Sequence, residues 1–533
     1  MKTIRILNYA VNGLGLGHIT RLIAINRWIR RISLALGIKP EIFFLTSSEC
    51  DTIAYQNNFS AFKIPSKNSI RDSGINQIEY RKIAKQWVWN SINLINPHIL
   101  IVDTFPYGSF NELFDIMDFG FKKIFIYRAI KPQIAENNNF QKALIGYDKI
   151  IIPIEFLLED YKFPETISER VYKTKEIMIR DIGELYDRNE SRNILGINEN
   201  NLACYVSLGG GGDENAETFF ENIISIIKNI PDVEFIIGAG PLYKGREFRA
   251  NNVHWFYRYN ALEYFSAFDF AISSGGYNNV HELLYTNIPS ILYPLSRFYD
   301  DQERRINTLE KENICIKLNS FEQDEIINKI NLLKDNEFRK KIKFNLLNRS
   351  RKNFAFDAAK IILSDFINTD DLDHIENQIP GSYFLSLRKE NIPEIIGLNA
   401  INILDNNYTE YKKLRASLKS CSEYFGFDEN VKNYFTELNK KIYYDFIEYP
   451  LHSLSLGFLK FVKNKGIELN LSLKYLKIFV QNNFNAQKNI QEVLLEATNY
   501  INLLSNKNQN INDSISEYIF ENELKVNGAN NEV

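Results

Sequence analysis

The chain has 533 residues, 45% hydrophobic and 24% charged, with a net charge of −3. A single hydrophobic core stops growing at about 250–300 residues, so two or three domains are expected. The composition argues against disorder, and the balanced charge excludes a global pull towards nucleic acid or an anionic membrane.

Four cysteines, Cys50, Cys204, Cys315 and Cys421, lie far apart without a C-x-x-C pair, so neither a zinc knuckle nor a disulfide framework is indicated. The opening MKTIRILNYAVNGLGLGH is too polar and glycine-rich for a signal sequence, and no run of about 18 apolar residues follows. A cytoplasmic protein is expected.

In chain order, short β-like runs at 4–10, 41–45, 98–102, 123–127 and 149–153 alternate with helical stretches. Such alternation predicts a parallel sheet covered on both faces, a Rossmann-like domain over 1–166. A charge-rich segment, 167–200, reads as a linker. The rhythm restarts at 202–207, 233–238, 253–256, 268–273, 289–293 and 314–318, giving a second Rossmann-like domain over 201–366. Residues 367–533 show no strand rhythm; stretches at 408–424, 431–447, 454–463 and 473–483 read as helices of an all-α extension. Those helices suit packing against the other domains, or a dimer or partner surface.

The first chemical constellation follows the first strand and opens a helix: Asn12, Gly13, Leu14, Gly15, Leu16, Gly17, His18, Ile19, Thr20, Arg21. Glycines let backbone approach a ligand closely, and a helix start favours negative or polar groups, so Gly13, Gly15, Gly17 and Arg21 are candidates for an acceptor or phosphate loop. The G-x-G-x-G spacing, with no clear ribose-binding acid after the second strand, departs from a dinucleotide fingerprint. His18 sits where strand meets helix, as a functional base or a structural capping residue. Asp103 ends a buried strand, where sites gather in open α/β sheets. It could orient His18, act as base, bind acceptor hydroxyls, or cap the next helix.

The second constellation is richer: Ser273, Ser274, Gly275, Gly276, Tyr277, Asn278, Asn279, Val280, His281 and Glu282, then Pro289, Pro294, Asp300, Asp301 and Gln302. Glycines at a helix start bare amides that can hold a diphosphate, and Glu282, on the face of Asn278 and Asn279, can accept both ribose hydroxyls. This order of strand, Gly-Gly, helix with Glu, Pro-containing strand and Asp-Gln resembles the donor-nucleotide site of GT-B glycosyltransferases of the MurG-like group. The resemblance implies two Rossmann-like domains facing across a cleft, the nucleotide-sugar donor in the second and the acceptor in the first. It also implies donor contacts from Gly209 and Gly210 in the loop Ser207–Gly212, from Gly240, from the backbone near Tyr257, and from Ser274, Gly275, Gly276, Tyr277, Asn278, Glu282, Asp301 and Gln302.

The expected function is transfer of a sugar, from a UDP-sugar foremost, to an acceptor hydroxyl with inversion, His18 or Asp103 serving as base and no metal or cofactor required. The acceptor is left open among a small molecule, a glycan and a lipid-linked molecule. A nucleotide-sugar epimerase or hydrolase of the same fold, or a non-catalytic sugar-nucleotide scaffold, are the alternatives. Asp371-Leu372-Asp373 spells a metal-binding D-x-D but falls after the catalytic core and reads as solvated linker. The stripe Arg27, Trp28, Ile29, Arg30, Arg31 reads as a first helix with one face buried and the other solvated, in preference to a membrane contact.

Overall fold

Runs such as ILIVD and FAISS, apolar over most of their length, are satisfied only where both faces of a strand are covered, and both are buried throughout. The computed structural model describes residues 3–372 apart from 12–14, 37, 155–160, 258–259, 348–351 and 369. The helices expected after residue 407 lie outside the described residues.

The first sheet is wholly parallel. Its strands are β1 (Thr3–Ala10), β2 (Lys39–Thr46), β3 (Ser60–Lys63), β4 (Ile99–Asp103), β5 (Lys122–Ile126), β6 (Lys149–Pro153) and β7 (Val171–Thr174), in the order β3-β2-β1-β4-β5-β6-β7. A second parallel sheet contains β8 (Leu202–Ser207), β9 (Val233–Gly238), β10 (Val253–Phe256), β11 (Phe270–Ser274), β12 (Ser290–Tyr293) and β13 (Ile316–Lys317), ordered β10-β9-β8-β11-β12-β13. Both sheets belong to one unit of the chain. In each, the chain starts in the middle, runs out to one edge, then returns and builds towards the other. The order therefore reverses between β1 and β4 and again between β8 and β11, which opens a crevice at the carboxyl ends of those strands.

Two features correct the expected boundaries. β7 lies inside the segment read as linker: its half-exposed VYKT pattern suits an edge strand but carries no apolar run. The helix Ala355–Leu363, grouped with the second domain, packs back on the first, where Lys149 Nζ donates to the carbonyl of Ile361 at 2.9 Å and pairs with Asp365 at 2.8 Å.

The stripe Arg27–Arg31 on the helix Gly17–Ala35 has neither of its expected fates. Trp28 is buried against Phe356, and Arg30 donates to the carbonyls of Asn57 and Asn58. Arg27 pairs with Glu184, and Arg31 reaches Glu184 at 3.1 Å and Asp181 at 3.3 Å. The cations that a membrane contact would need are thus spent in a nearly dry cluster. Burial alone would raise the Glu184 carboxyl, but Arg27, Arg31 and Arg180 together outweigh it and hold Glu184 ionised; burial and the charge of Glu184 push Asp181 up instead. Among the described residues no helix is long and apolar enough to cross a membrane.

Removing one partner of a buried pair strands the other, at a cost of about 3–5 kcal/mol. Glu184→Ala is expected to lower the free energy of unfolding, read by urea denaturation, by about 3 kcal/mol, in the lower part of that range, because Asp181 can ionise in its place. Asp72→Ala, at an exposed pair with Arg71, is expected to change stability by less than about 1 kcal/mol.

Candidate active site

Where the first sheet reverses, β1 and β4 are neighbours, and the groups at their carboxyl ends meet. Asp103 closes β4 with no solvent exposure. Arg21 clamps it from the helix after β1, Nε to Oδ2 at 2.8 Å and Nη2 to Oδ1 at 3.0 Å. His18, one turn earlier, meets Oδ1 through Nδ1 at 2.7 Å, and Thr104 donates its hydroxyl to the same oxygen at 2.7 Å. Thr104 adopts φ 65°, a left-handed conformation that costs a β-branched residue on the order of 1–3 kcal/mol and that recurs where function demands a fixed geometry.

Burial alone would raise the Asp103 carboxyl, but Arg21 and His18 outweigh it and hold it well below the usual carboxylate range. An ionised Asp103 can only accept, so His18 carries its proton on Nδ1 and leaves Nε2 as a proton acceptor. Burial lowers the imidazole below its ordinary value against the opposing pull of Asp103, which keeps it neutral near pH 7. Its ring stacks on Phe105 with centroids 5.3 Å apart.

The reversal in the second sheet brings the loop after β8 beside the start of the helix Tyr277–Tyr285 after β11. Ser274 Oγ donates to the carbonyl of Leu208 at 3.1 Å, and Asn279 Nδ2 bonds the hydroxyls of Ser273 and Ser274, both at 3.1 Å. Gly211 and Gly240 are in the left-handed region, and a Cβ at either would lie 2.2 Å or 2.4 Å from a carbonyl oxygen of the other's loop, so these two loops can interlock only as glycines. Glu282 stands one turn into the helix. Burial alone pushes its carboxyl up to about 8, and among the described residues it has no hydrogen bond or ion pair to offset that burial.

One cavity of about 750 Å³ is lined by both domains. From the first domain it takes Gly15, Gly17, His18 and Arg21, with Phe105, Tyr107, Phe110 and Lys67 further along. The second domain contributes Gly209, Gly210, Gly240, Ser274, Gly276, Tyr277, Asn278, Asn279, Glu282 and Gln302. The domains are tied beside it: Arg128 meets Asp300 at 2.9 Å, Lys131 Nζ donates to the carbonyl of Arg297 at 2.6 Å, and Tyr299 sets its edge against Phe105.

Several expected placements are corrected. Gly275 is outside the cavity lining: its amide donates to the carbonyl of Tyr293 at 2.9 Å, and a Cβ there would strike Ile306, so it serves strand pairing and helix packing and has no amide left for a phosphate. Asp301 caps the helix Gln302–Lys311 by accepting from the Arg304 amide, while Asp300, one residue earlier, reaches the cavity. Tyr257 stacks on Trp255, hands its hydroxyl to Glu247 and lies off the cavity wall.

Asp103 is fully buried and its carboxylate is taken up by His18, Arg21 and Thr104, an arrangement suited to orienting His18. Arg21 forks onto Asp103 through Nε and Nη2, lies over the Tyr277 ring at 4.9 Å, and also lines the cavity. Gly13 falls outside the described residues. Sequence reasoning missed Thr104, Arg128, Asp300 and Tyr205; Asp300 was within the quoted motif, whereas nothing local marks Arg128.

No protein-family model matches the chain, and no curated protein matches its sequence. Among solved structures, the glycosyltransferase SnogD from Streptomyces nogalater aligns at 14% identity over 68% of this chain and 99% of its own, with a TM-score of 0.45. MurG of Acinetobacter baumannii aligns at 12% over 68% and 99%, TM-score 0.44. A putative UDP-N-acetylglucosamine 2-epimerase from Listeria monocytogenes aligns at 12% over 70% and 98%, TM-score 0.44. The sheet orders establish the fold by themselves: two doubly wound parallel sheets opening on one cavity, the GT-B arrangement expected from the motifs.

Proposed function

We propose that the chain is a glycosyltransferase that moves a sugar from a nucleoside-diphosphate donor, a UDP-sugar foremost, to an acceptor hydroxyl with inversion at the anomeric carbon. The observation that carries this reading is the meeting, in one cavity, of an Asp-oriented neutral histidine from the first domain and a helix start from the second. His18 Nε2 takes the acceptor proton, a contribution of about 100-fold to 10,000-fold, and the ionised Asp103 stabilises the imidazolium that results. The acceptor oxygen bonds to the anomeric carbon as the bond to the diphosphate breaks.

Charge then gathers on the leaving diphosphate, opposite the first turn of the helix Tyr277–Tyr285, whose leading amides have no partner within the helix. One preorganised donor of this kind is worth roughly 3 kcal/mol in the transition state. Glu282, half-buried with no counter-ion among the described residues, supports a role in accepting ribose hydroxyls. Phe105, Tyr107 and Phe110 give the acceptor side an aromatic wall.

His18→Ala is expected to bind UDP as the wild type does and to release UDP from UDP-sugars at least about 100-fold more slowly in the presence of acceptor. Equal turnover would contradict the base assignment. An epimerase would instead interconvert UDP-sugars with no acceptor present.

Burial raises the Glu282 carboxyl. The fold holds this proton more tightly than the unfolded chain, so stability is complete below the ordinary carboxyl range and falls as pH rises towards about 8. Glu282→Gln is therefore expected to melt like the wild type at low pH and at a higher temperature above pH 8, while binding UDP more weakly and without the wild type's gain in affinity as the carboxylate ionises. Parallel pH profiles in calorimetric titration would contradict it.

A further inference from the structure

Asparagine at a helix start ordinarily turns its side-chain oxygen back onto the first amides. Asn260 stands immediately before the short helix Ala261–Ala267, yet its side chain does not cap it; only its backbone carbonyl is used, accepting from the Glu263 amide at 3.2 Å. The side-chain oxygen is buried with no hydrogen-bond partner, and among the described residues no bond engages either end of the amide. A buried acceptor left unmatched is destabilising, and in a native fold it calls for a cause. Asn260 also lines the cavity, together with Gly240, Pro241, Phe256, Ala261 and Leu262.

The strand order fixes what could reach it. From β11, whose following helix faces the diphosphate, the sheet runs through β8 and β9 to β10, and Asn260 follows β10. On the reading given above, on which this inference rests, a nucleotide with its phosphates at Gly276–Asn279 and its ribose at Glu282 extends across β8, where Tyr205 lines the same cavity as Glu282. The base then arrives over the ends of β9 and β10.

We propose that Asn260 is the specificity-determining residue for the donor's nucleobase, accepting a ring N–H at Oδ1 and donating from Nδ2 to the adjoining carbonyl. A ring N–H brings one hydrogen to the enclosed oxygen and leaves nothing unmatched. An exocyclic amino group would bury a second N–H beside it. The site therefore takes an oxo base, namely uracil, thymine or guanine, over adenine and cytosine.

Calorimetric titration of the full chain with UDP, dTDP, GDP, ADP and CDP tests this, in the wild type and in Asn260→Ala and Asn260→Asp. At least one of UDP, dTDP and GDP is expected to bind the wild type about tenfold or more tighter than both ADP and CDP, and Asn260→Ala is expected to narrow that gap. A carboxylate at the position accepts twice and donates nothing, which suits the adjacent N1–H and amino group of guanine and opposes the carbonyls flanking N3–H in uracil. Asn260→Asp should raise the ratio of GDP to UDP affinity about tenfold or more. Because no bond among the described residues engages the side chain, Asn260→Ala should melt no lower than the wild type, and Asn260→Asp, which encloses a carboxylate, should melt somewhat lower while still folding. A wild-type preference for ADP or CDP, or an equal change across all five ligands in both variants, would overturn the inference while leaving the donor site standing. If the wild type bound none of the five, the donor reading would fall and this inference with it.

Discussion

A carboxylate with no solvent contact organises the first domain's half of the site. Asp103 is held ionised by the Arg21 fork, and once ionised it dictates the tautomer of His18 and fixes the plane of its ring. The same oxygen accepts from Thr104, whose left-handed backbone turns the chain away from β4 straight into Phe105, the ring on which His18 stacks. Neutralising that charge would release each of these groups at once. Arg21 thus belongs to the scaffold that holds His18, and its contact with Tyr277 carries the arrangement to the first residue of the helix after β11.

The second domain solves the opposite problem. Glu282 is half-buried with no cation among the described residues to offset its charge, so ionising it at neutral and higher pH costs stability. Asn260 repeats the pattern in neutral form, with an oxygen enclosed and unmatched. Both groups are costs to the fold that a ligand carrying hydroxyl and ring N–H donors would relieve. The interlocked glycine loops and the Arg128–Asp300 pair keep the surrounding walls close enough for such groups to stay enclosed.

Much of this was legible in the sequence, for identifiable reasons. Strands buried on both faces announce themselves as continuous apolar runs, so β1, β4, β6, β8, β9 and β11 were readable to within a residue or two. β3 and β7 were not, because edge strands half open to solvent carry only four mixed residues each. Glycine loops after β1, β8 and β11 pointed to the cavity correctly as loops. Their individual roles depended on pairing partners distant in sequence: the Gly275 amide is taken by Tyr293, and the Asp301 side chain turns to its own helix. The charges of Arg21, Arg27 and Arg31 were visible, but the acids that consume them, at 103, 181 and 184, are brought in by the fold. Local pattern shows that a group is present; only tertiary structure shows whether it is already spent.

The most direct test of the account is a crystal structure of the full chain with UDP. The account predicts the diphosphate against the amides at 276–279, with both ribose hydroxyls on the Glu282 carboxylate and the distal phosphate facing His18 across the cavity. UDP bound outside that cavity, or seated within it with its ribose away from Glu282, would contradict it.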